Sequence, residues 1–475
     1  MIFLIVLIIY LAIMLGIGIA AKSKISVPDD YYLAGRGLPW PVLMLTMAAT
    51  YIGATATLAK TGLGYTTGMS AIMATVMAMA GMAVFGYLSP KVNQIGREYQ
   101  IGSVSQLIKY RFGSVAGILA AIIVIWAQVG TLAGQITGAG SLLPTVFRTT
   151  GISVSYEMVT LALVLIMIAY TLLSGMFGVA YTDVIQVLIL LICLGCFLPF
   201  IMVSQAGGWE HIVSVVPKDH LSLKPGVFMI GLMFNYFFYF MSGPPYWQRA
   251  FAAKTPKSGR GAIMASSALI IVYTVMVTIV GIAAVVLYPT LPEGVGADSI
   301  AVIAVLDMYH PVFAAIVVVA IMAAIMSTMD SYLLTAAQAV VSDIVKVLKP
   351  TISLKDELRL SKVGVAAIAI LSYVMALYIR NIIAVLQIGM GFYSATMAAP
   401  IICATFWKKS TKQGCFASML CGCATYLIWR FVLERPFGLD PAVPGGCVAV
   451  LVMVVVSLMT YRENEAPYFE LKEAA

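Results

Sequence analysis

Long apolar runs alternate with short polar gaps along almost the whole chain. A run of about 18 or more apolar residues can cross the hydrocarbon core of a bilayer as a helix. The pattern therefore predicts an all-α membrane protein with about thirteen transmembrane helices. The predicted spans are 2–21, 39–65, 68–90, 114–142, 156–174, 177–203, 225–247, 261–288, 311–344, 361–379, 382–406, 414–433 and 443–461.

Composition and charge support a membrane protein. Hydrophobic residues make up 61% of the chain and charged residues 10%, whereas soluble domains carry about 25% charged residues. The net charge of +8 could suit nucleic acid, but most basic residues lie in alternate gaps, which indicates topology instead. No nucleic-acid partner is expected.

The first apolar run predicts how the chain is oriented. Lys22 and Lys24 follow this run and no basic residue precedes it, which is the reverse of a signal peptide. We therefore expect a retained helix, with the N-terminus outside and, after an odd number of spans, a cytoplasmic C-terminus. The expected location is the cell membrane, plasma or inner.

Two of the predicted helices are interrupted. Residues 48–54 (AATYIGA) are small or β-branched around one glycine, and residues 242–245 (SGPP) lack two amide donors. Non-helical backbone at membrane depth persists where it lines a cavity or binds an ion. The alternative is that small residues simply let helices pack closely.

The interruptions fall in the first helices of two successive five-helix blocks, 39–203 and 225–407. Because five is odd, the second block is inserted upside down, which is the inverted-repeat architecture of secondary transporters. Matching positions favour the functional interpretation of the two breaks. Outside the blocks we expect a peripheral helix (1–22), two peripheral helices (413–462) and a charged, disordered cytoplasmic tail (463–475).

A few ionisable residues lie inside the predicted spans, where a charge costs about 2.5–3.5 kcal/mol. Asp183 is one of them, and Ser327, Asp330 and Ser331 share one helical face. Hydroxyl and carboxylate oxygens suit a hard cation. Helix capping, an Asp–Arg pair and hydroxyl bonds to backbone carbonyls are the alternatives.

Lys60 is another such charge, two turns beyond the first interruption towards the outside. It either snorkels to the outer interface or lines the substrate entry and attracts a carboxylate. HExxH, GxSxG and cysteine–histidine arrangements are missing from the sequence, and the seven cysteines lie in apolar runs. An enzyme is therefore not expected.

Five short segments occur together in one order. They are 30–36 (DYYLAGR), 170–175 (YTLLSG), 246–249 (YWQR), 326–331 (MSTMDS) and 406–409 (FWKK). With these segments the chain resembles the sodium:solute symporter family, which includes bacterial proline, galactose, sialic acid and pantothenate transporters. The resemblance implies a LeuT-type fold with a five-plus-five inverted repeat, one extra N-terminal helix and two extra C-terminal helices.

The resemblance also implies Na+ at the site conventionally called the second, held by backbone carbonyls and hydroxyl groups. The implied ligands are Ala49, Ile52, Ala324, Ser327 and Thr328. Some members bind an additional sodium nearer the cytoplasm, and the matching positions of that further sodium or exit site are Asp183, Asp330 and Ser331. An acid at 330, where sialic acid transporters carry serine, leaves protonation or pairing of Asp330 as alternatives.

For the solute, the resemblance implies contacts from both blocks. The implied residues are Thr57, Lys60, Thr75, Asn235, Tyr236 and Gln387. Ala56 and Ala78 replace longer or polar groups that hold a sugar, and Lys60 replaces an apolar outer-gate residue of the galactose transporter. A sugar is therefore not expected. Tyr51 stands where proline transporters carry an acid, which argues mildly against proline.

The expected function is sodium-coupled import of a small carboxylate by alternating access. A monocarboxylate, an amino acid or a pantothenate-like acid would fit. The alternatives are a sodium-independent or proton-coupled carrier of the same fold, and a channel or sensor without turnover. The expected partners are the anionic or zwitterionic solute and the lipid bilayer, with no obligate protein partner.

Overall fold

The computed structural model describes residues 2–23, 25–149, 154–291, 295–462 and 468–471. Apart from an isolated bridge between Leu38 and Ala253, these residues form helices and their connections. They include 11 helices long and apolar enough to cross a membrane, and one shorter apolar helix, Tyr156–Ala169. The all-α membrane architecture is confirmed, but the count of thirteen spans is not.

The helices are numbered along the chain. The first eleven are α1 (Ile2–Lys22), α2 (Pro28–Leu33), α3 (Trp40–Tyr51), α4 (Lys60–Thr67), α5 (Ala71–Glu98), α6 (Val104–Phe112), α7 (Ser114–Thr149), α8 (Tyr156–Leu190), α9 (Leu198–Gln205), α10 (Trp209–Val215) and α11 (Val227–Ser242). The others are α12 (Pro244–Ala252), α13 (Pro256–Leu287), α14 (Ile300–Met308), α15 (Pro311–Gln338), α16 (Lys346–Leu348), α17 (Leu354–Tyr378), α18 (Ile382–Leu386), α19 (Phe392–Phe406), α20 (Lys412–Leu427) and α21 (Ala442–Thr460).

Several helices are joined end to end by π-helical turns. These turns are Thr55–Ala59, Leu191–Phe197, Ala339–Val345, Gln387–Gly391 and Ile428–Val432. Such turns carry the helical path from α8 into α9, from α15 into α16 and from α18 into α19. Short three-residue 3-10 turns lie between some of the other helices, for example Gly68–Ser70 between α4 and α5.

Both predicted interruptions are present. Helix α3 ends at Tyr51, and Ile52 leaves the helical region with φ −80° and ψ 74°. Helix α11 ends at Ser242, where Gly243 is extended with φ −63° and ψ 132° before α12 begins at Pro244. The proline there has no amide proton to donate, so the chain cannot continue the hydrogen-bond ladder of α11.

The number of long apolar helices differs from the prediction at two glycines. Residues 55–98 make one apolar stretch, in which Gly68 leaves the helical region between α4 and α5 with φ 66° and ψ −141°. The predicted spans 156–174 and 177–203 meet within α8 at Gly175, which has φ 52° and ψ −167°. A side chain there would meet the ring of Tyr31 at 2.9 Å, so both the conformation and the close approach require glycine.

The end of the chain differs from the expectation of disorder. Phe469 is 4% exposed and packs against the rings of Tyr99 and Tyr110, with centroids 5.2 and 5.0 Å away. The backbone N–H of Glu470 donates to the Tyr99 hydroxyl at 2.9 Å. Aromatic burial therefore holds residues 468–471 in place. Lys24, residues 463–467 and residues 472–475 lie outside the described residues.

Candidate functional site

The break in α3 faces the middle of α15. The Thr328 hydroxyl lies 3.1 Å from the carbonyl oxygen of Ala49 and 3.0 Å from that of Ala324. The Ser327 hydroxyl lies 2.9 Å from the same Ala324 oxygen. Ile52 is fully buried at the end of α3. The residues implied as sodium ligands therefore converge on two facing segments.

Close approach of the two segments depends on Gly53. A Cβ at Gly53 would lie 2.5 Å from the hydroxyl oxygen of Thr328 and 2.5 Å from the side-chain oxygen of Gln135. Only glycine leaves room for both groups. The same Gln135 oxygen accepts a hydrogen bond from the Ala54 amide at 2.7 Å, which satisfies a donor freed by the break.

This donor set fits a small hard cation. Its oxygens come from backbone carbonyls and hydroxyl groups, which are hard and uncharged ligands. The hydroxyl bonds to Ala324 also match the ordinary back-bonding of Ser and Thr in a helix. Back-bonding within α15 does not explain the contact between the Thr328 hydroxyl and the carbonyl of Ala49, which lies on α3 close to the break in that helix.

A cluster of buried charges lies next to this site. The Thr46 hydroxyl donates to Asp183 Oδ2 at 2.5 Å, and Arg249 Nη2 lies 3.7 Å from the same oxygen. Arg249 Nη2 also donates to the Ser331 hydroxyl at 2.6 Å. Asp183 and Arg249 are both fully buried. Two members of the implied further site, Asp183 and Ser331, are thus linked through an arginine.

Asp330, the third member of that further site, has different partners. The Thr171 hydroxyl donates to Asp330 Oδ1 at 2.5 Å. Asp330 Oδ2 and Asp183 Oδ1 are buried without a hydrogen-bond partner in the part of the chain that the structure describes. Gln186 donates to the Tyr10 hydroxyl at 2.7 Å, which ties α1 to this region of α8.

Lys60 is buried, with 1% of its surface exposed. Its Nζ donates to the carbonyl of Ala71 at 3.2 Å and lies 5.5 Å from the centroid of the Tyr236 ring. None of the ion pairs among the described residues includes Lys60. Its ammonium group therefore does not reach the outer surface in this conformation.

The other implied solute residues are distributed around the core. The Thr57 hydroxyl lies 2.9 Å from that of Tyr273, and Tyr51 donates to Thr75 at 3.2 Å. The Ser394 hydroxyl donates to Asn235 Oδ1 at 2.9 Å, and the Gln387 amide donates to Asp440 Oδ2 at 2.8 Å. The Gln387 amide is thus bound to a carboxyl group in the loop before α21. Burial of that carboxyl raises the pKa of Asp440.

A small central cavity of about 20 Å³ lies beside the break in α3. It is lined by Thr50, Tyr51, Thr55, Gln135, Tyr236, Phe240, Tyr246, Thr328, Tyr332 and Met390. Among the implied solute residues Tyr236 is the one that lines it, and the lining also includes Thr328, one of the implied sodium ligands. A volume of this size holds about one water molecule, so the cavity is contracted in this conformation.

Sequence reasoning missed two features of the site. Arg249 ends the YWQR segment just beyond a predicted span, yet it is fully buried. Gln135 was not singled out, although it is a polar residue in the middle of an apolar helix, and this is a signal that a sequence carries. The aromatic lining of the cavity gave no comparable signal, because aromatic residues are common throughout such helices.

Two broken helices, clustered carbonyl and hydroxyl oxygens at one break and buried charges beside them are the features of a secondary transporter of the inverted-repeat class. The model of the sodium:solute symporter family matches residues 31–422, and the chain belongs to that family. Transport in this family is coupled to Na+. The chain is accordingly a multi-pass membrane protein that moves a solute together with sodium.

Relatives of known name match over nearly the full length. The chain is 24% identical to a high-affinity proline transporter of Bacillus subtilis over 470 residues, 95% of this chain and 97% of that one. It is 25% identical to an osmoregulated proline transporter of Bacillus subtilis (97% and 95% covered). It is 24% identical to a sodium/proline symporter of Staphylococcus aureus (96% and 92% covered).

Solved structures share the fold. A Na+-coupled sialic acid symporter in a substrate-bound outward-open state superimposes with a TM-score of 0.83, at 20% identity and with 99% of each chain covered. A nucleobase-cation-symport-1 family transporter in a closed conformation gives a TM-score of 0.61, at 15% identity with 92% and 95% covered. The LeuT-type fold expected from the sequence is confirmed.

Proposed function

We propose that this protein imports a small carboxylate together with sodium. The observation that carries the proposal is Lys60, a buried cation with no carboxylate partner among the described residues. An unpaired charge at membrane depth is costly, and such residues usually mark a solute or ion path. The carboxylate of a bound solute would supply the missing partner.

The lining of the central cavity narrows the solute class. Aromatic rings line it, namely Tyr51, Tyr236, Phe240, Tyr246 and Tyr332. Such rings pack against an apolar body, and their faces attract an ammonium group. A small acid with an apolar body fits these features, either as a monocarboxylate or as a zwitterionic amino acid. The relatives named as proline transporters make an amino acid the first candidate for testing.

The implied solute residues extend this proposal beyond the contracted cavity. Thr57, Thr75 and Asn235 already bond to other side chains, and Gln387 bonds to Asp440. Opening of the outer side would separate some of these pairs and expose their polar groups to the solute. We propose that Lys60 and Tyr236 then form the anion-binding end of the enlarged cavity.

Sodium would bind between α3 and α15, at the carbonyl and hydroxyl oxygens described above. Bridging the two segments, it would stabilise the outward-facing conformation and pre-organise the cavity for the solute. After rearrangement sodium would leave past Asp183, Asp330 and Ser331, which line the inner side of the site. One charge crossing 100 mV gives about 2.3 kcal/mol, which supports roughly fifty-fold accumulation.

The orientation of the chain is part of the proposal. With two inverted blocks, 39–203 and 225–407, the N-terminus lies outside and the C-terminus lies in the cytoplasm of a cell membrane. The basic residues of alternate gaps support this direction. Impermeant labelling of a cysteine introduced at Ser222, from outside intact cells, checks it.

A thermal-shift screen of purified protein tests the solute class. Amino acids, monocarboxylates, pantothenate and sugars are compared with and without sodium. We expect stabilisation by a small carboxylate that grows when sodium is present, because a ligand that binds the folded state raises its melting temperature. Stabilisation by a neutral sugar alone would overturn the carboxylate proposal.

Uptake into proteoliposomes separates the alternatives. Transport that persists when choline replaces sodium would favour a sodium-independent or proton-coupled carrier. Absence of labelled-solute counterflow, with binding intact, would favour a channel or sensor without turnover. Sodium-dependent counterflow of the stabilising carboxylate is the expected result.

A further inference from the structure

Polar side chains continue along α15 from the sodium site towards the end predicted to be cytoplasmic. They recur every three or four residues, which places those within α15 on one helical face. The series is Thr328, Ser331, Thr335, Gln338, Ser342 and Lys346. The stripe begins at the Ala49 contact and passes through the Arg249 contact.

The stripe ends in a wide vestibule. This cavity has a volume of about 810 Å³ and is lined by Gln338, Ser342 and Lys346 from the stripe. Glu357 lies at its wall and accepts hydrogen bonds from Ser342 at 3.2 Å and from Lys346 at 2.9 Å. Ions can therefore reach Gln338 from the aqueous side once inside the vestibule.

Between the sodium site and the vestibule the stripe is closed by a pair of amides. Gln248 of α12 donates to the side-chain oxygen of Gln338 at 2.8 Å. The Thr335 hydroxyl donates back to Gln248 at 3.0 Å, and Gln338 donates to the carbonyl of Gly102 at 3.2 Å. Gln248 is 1% exposed and Gln338 is 3% exposed. The pair thus joins α12, α15 and the loop before α6.

We propose that Gln248 and Gln338 form the inner gate of the sodium route. The inference rests on the proposed function, since it concerns how sodium leaves the site at Ser327 and Thr328. When the pair parts, the side-chain oxygens are freed along the path and can bind a passing cation. Because the pair is uncharged, it closes the path without holding the sodium ion in place. A negatively charged residue at the same position would bind the ion and slow its release.

The position of Gln248 explains how the gate would be coupled to the rest of the protein. Helix α12 begins directly after the break at Gly243, so it can move without bending α11. The next residue, Arg249, contacts Asp183 and Ser331. Movement of α12 that parts the amides therefore also disturbs the charged cluster below the sodium site.

Hydrogen–deuterium exchange of the α12 amides tests the gate directly. In Gln338→Ala the Gln248 side-chain amide loses its partner, and we expect the backbone amides of residues 246–252 to exchange about tenfold faster in sodium, because leaving a buried amide unpaired lowers the stability of the closed state by about that factor. Ser342→Ala is the matched control, since it lines the same vestibule without touching the pair. Equal exchange in Gln338→Ala and the wild type, or equal acceleration in Ser342→Ala, would overturn the gate.

A double substitution distinguishes loss of the amide pair from general unfolding of the protein. In Gln248→Leu with Gln338→Leu, two apolar side chains meet, and we expect slow exchange of the backbone amides of residues 246–252 to return while sodium release slows. If Gln338→Ala does not reach the membrane, Gln338→Met keeps the volume and removes the amide. Exchange no slower in the double variant than in Gln338→Ala would contradict a gate formed by this pair.

Transport measurements keep this inference separate from the proposed function. In Gln338→Ala the inward-open state gains population, so the sodium concentration for half-maximal uptake from outside should rise several-fold. If the wild type shows no sodium dependence, the proposed function fails, whereas the exchange result still decides whether the amides close the vestibule. An unchanged sodium requirement with fast exchange would remove the pair from the sodium route.

Discussion

Asp183 and Arg249 form an ion pair inside the membrane domain, with Nη2 of the arginine 3.7 Å from Oδ2 of the aspartate and both side chains fully buried. They come from two helices, α8 and α12. Thr46 and Ser331 complete the arrangement by hydrogen bonds to the two charges. The pair therefore links α8 to the helix that follows the break at Gly243.

Removing one charge of this pair should destabilise the folded protein more than removing both charges. In Asp183→Asn the buried guanidinium loses its counter-charge, which typically costs about 3–5 kcal/mol. In Asp183→Asn with Arg249→Gln no net charge remains, and most of that loss should be recovered. The measurement is the free energy of unfolding in detergent for the two single variants and the double variant, arranged as a double-mutant cycle.

The exposed pair between Glu157 and Arg380 is the control, because its side chains are 47% and 57% exposed. Solvent-exposed ion pairs contribute little to stability, so Glu157→Gln should leave the free energy of unfolding unchanged. If the changes in unfolding free energy of the two single variants at 183 and 249 added up to that of the double variant, the two charges would not be energetically coupled.

The broken helices could be predicted because their signals are local. Proline at 244 and 245 lacks an amide proton whatever surrounds it, and the small residues around Gly53 allow close approach. The apolar runs likewise identify membrane spans by length alone. The exact count was less predictable, since the breaks at Gly68 and at Gly175 depend on how neighbouring helices meet.

The side chains around the site were harder to predict because their roles depend on distant partners. Arg249 lies in a polar stretch, and only Asp183 on another helix makes its burial tolerable. Gln387 was implied to contact the solute, but its amide donates to Asp440 in a loop that the extra C-terminal helices position. Spacing within a helix predicts a shared face and does not predict what packs against it.

The hydroxyl groups of α15 give a test of the sodium site. Ser327→Ala with Thr328→Ala removes two of the proposed oxygen ligands, and a hydrogen-bonding group contributes roughly 1.5–3 kcal/mol to a charged partner. We expect the sodium concentration for half-maximal uptake to rise at least about tenfold, with normal amounts of protein in the membrane. Sodium titration of solute uptake in proteoliposomes measures this change.

Ser372→Ala is the matched control for that double variant. Its hydroxyl is also fully buried and bonds to a carbonyl of its own helix, Ile368, at 2.8 Å. It lies on α17, outside the proposed ligand set. An unchanged sodium requirement in the α15 variant, or an equal rise in Ser372→Ala, would place sodium elsewhere.

The C-terminal contact should be held mainly by Phe469. Its ring stacks on Tyr110 at 5.0 Å and is 4% exposed, and an aromatic pair contributes about 0.5–1.5 kcal/mol beyond its buried area. In Phe469→Ala we expect residues 468–471 to be digested by carboxypeptidase several-fold faster. Glu470→Gln, which keeps the backbone bond to Tyr99, should be digested at the wild-type rate; equal rates in all three proteins would show that the contact contributes no protection.

Lys60 gives the most direct test of the solute's charge. In Lys60→Met a bound carboxylate loses a desolvated counter-charge, and losing one partner of such a pair costs about 2–5 kcal/mol. Binding of the carboxylate found in the thermal-shift screen should weaken about thirty-fold or more, whereas binding of its neutral amide should change little. Lys60→Arg keeps the charge and should retain more affinity than Lys60→Met. Isothermal titration of the acid and the amide, at saturating sodium, measures both; equal losses for the two ligands would show that Lys60 does not recognise the carboxylate.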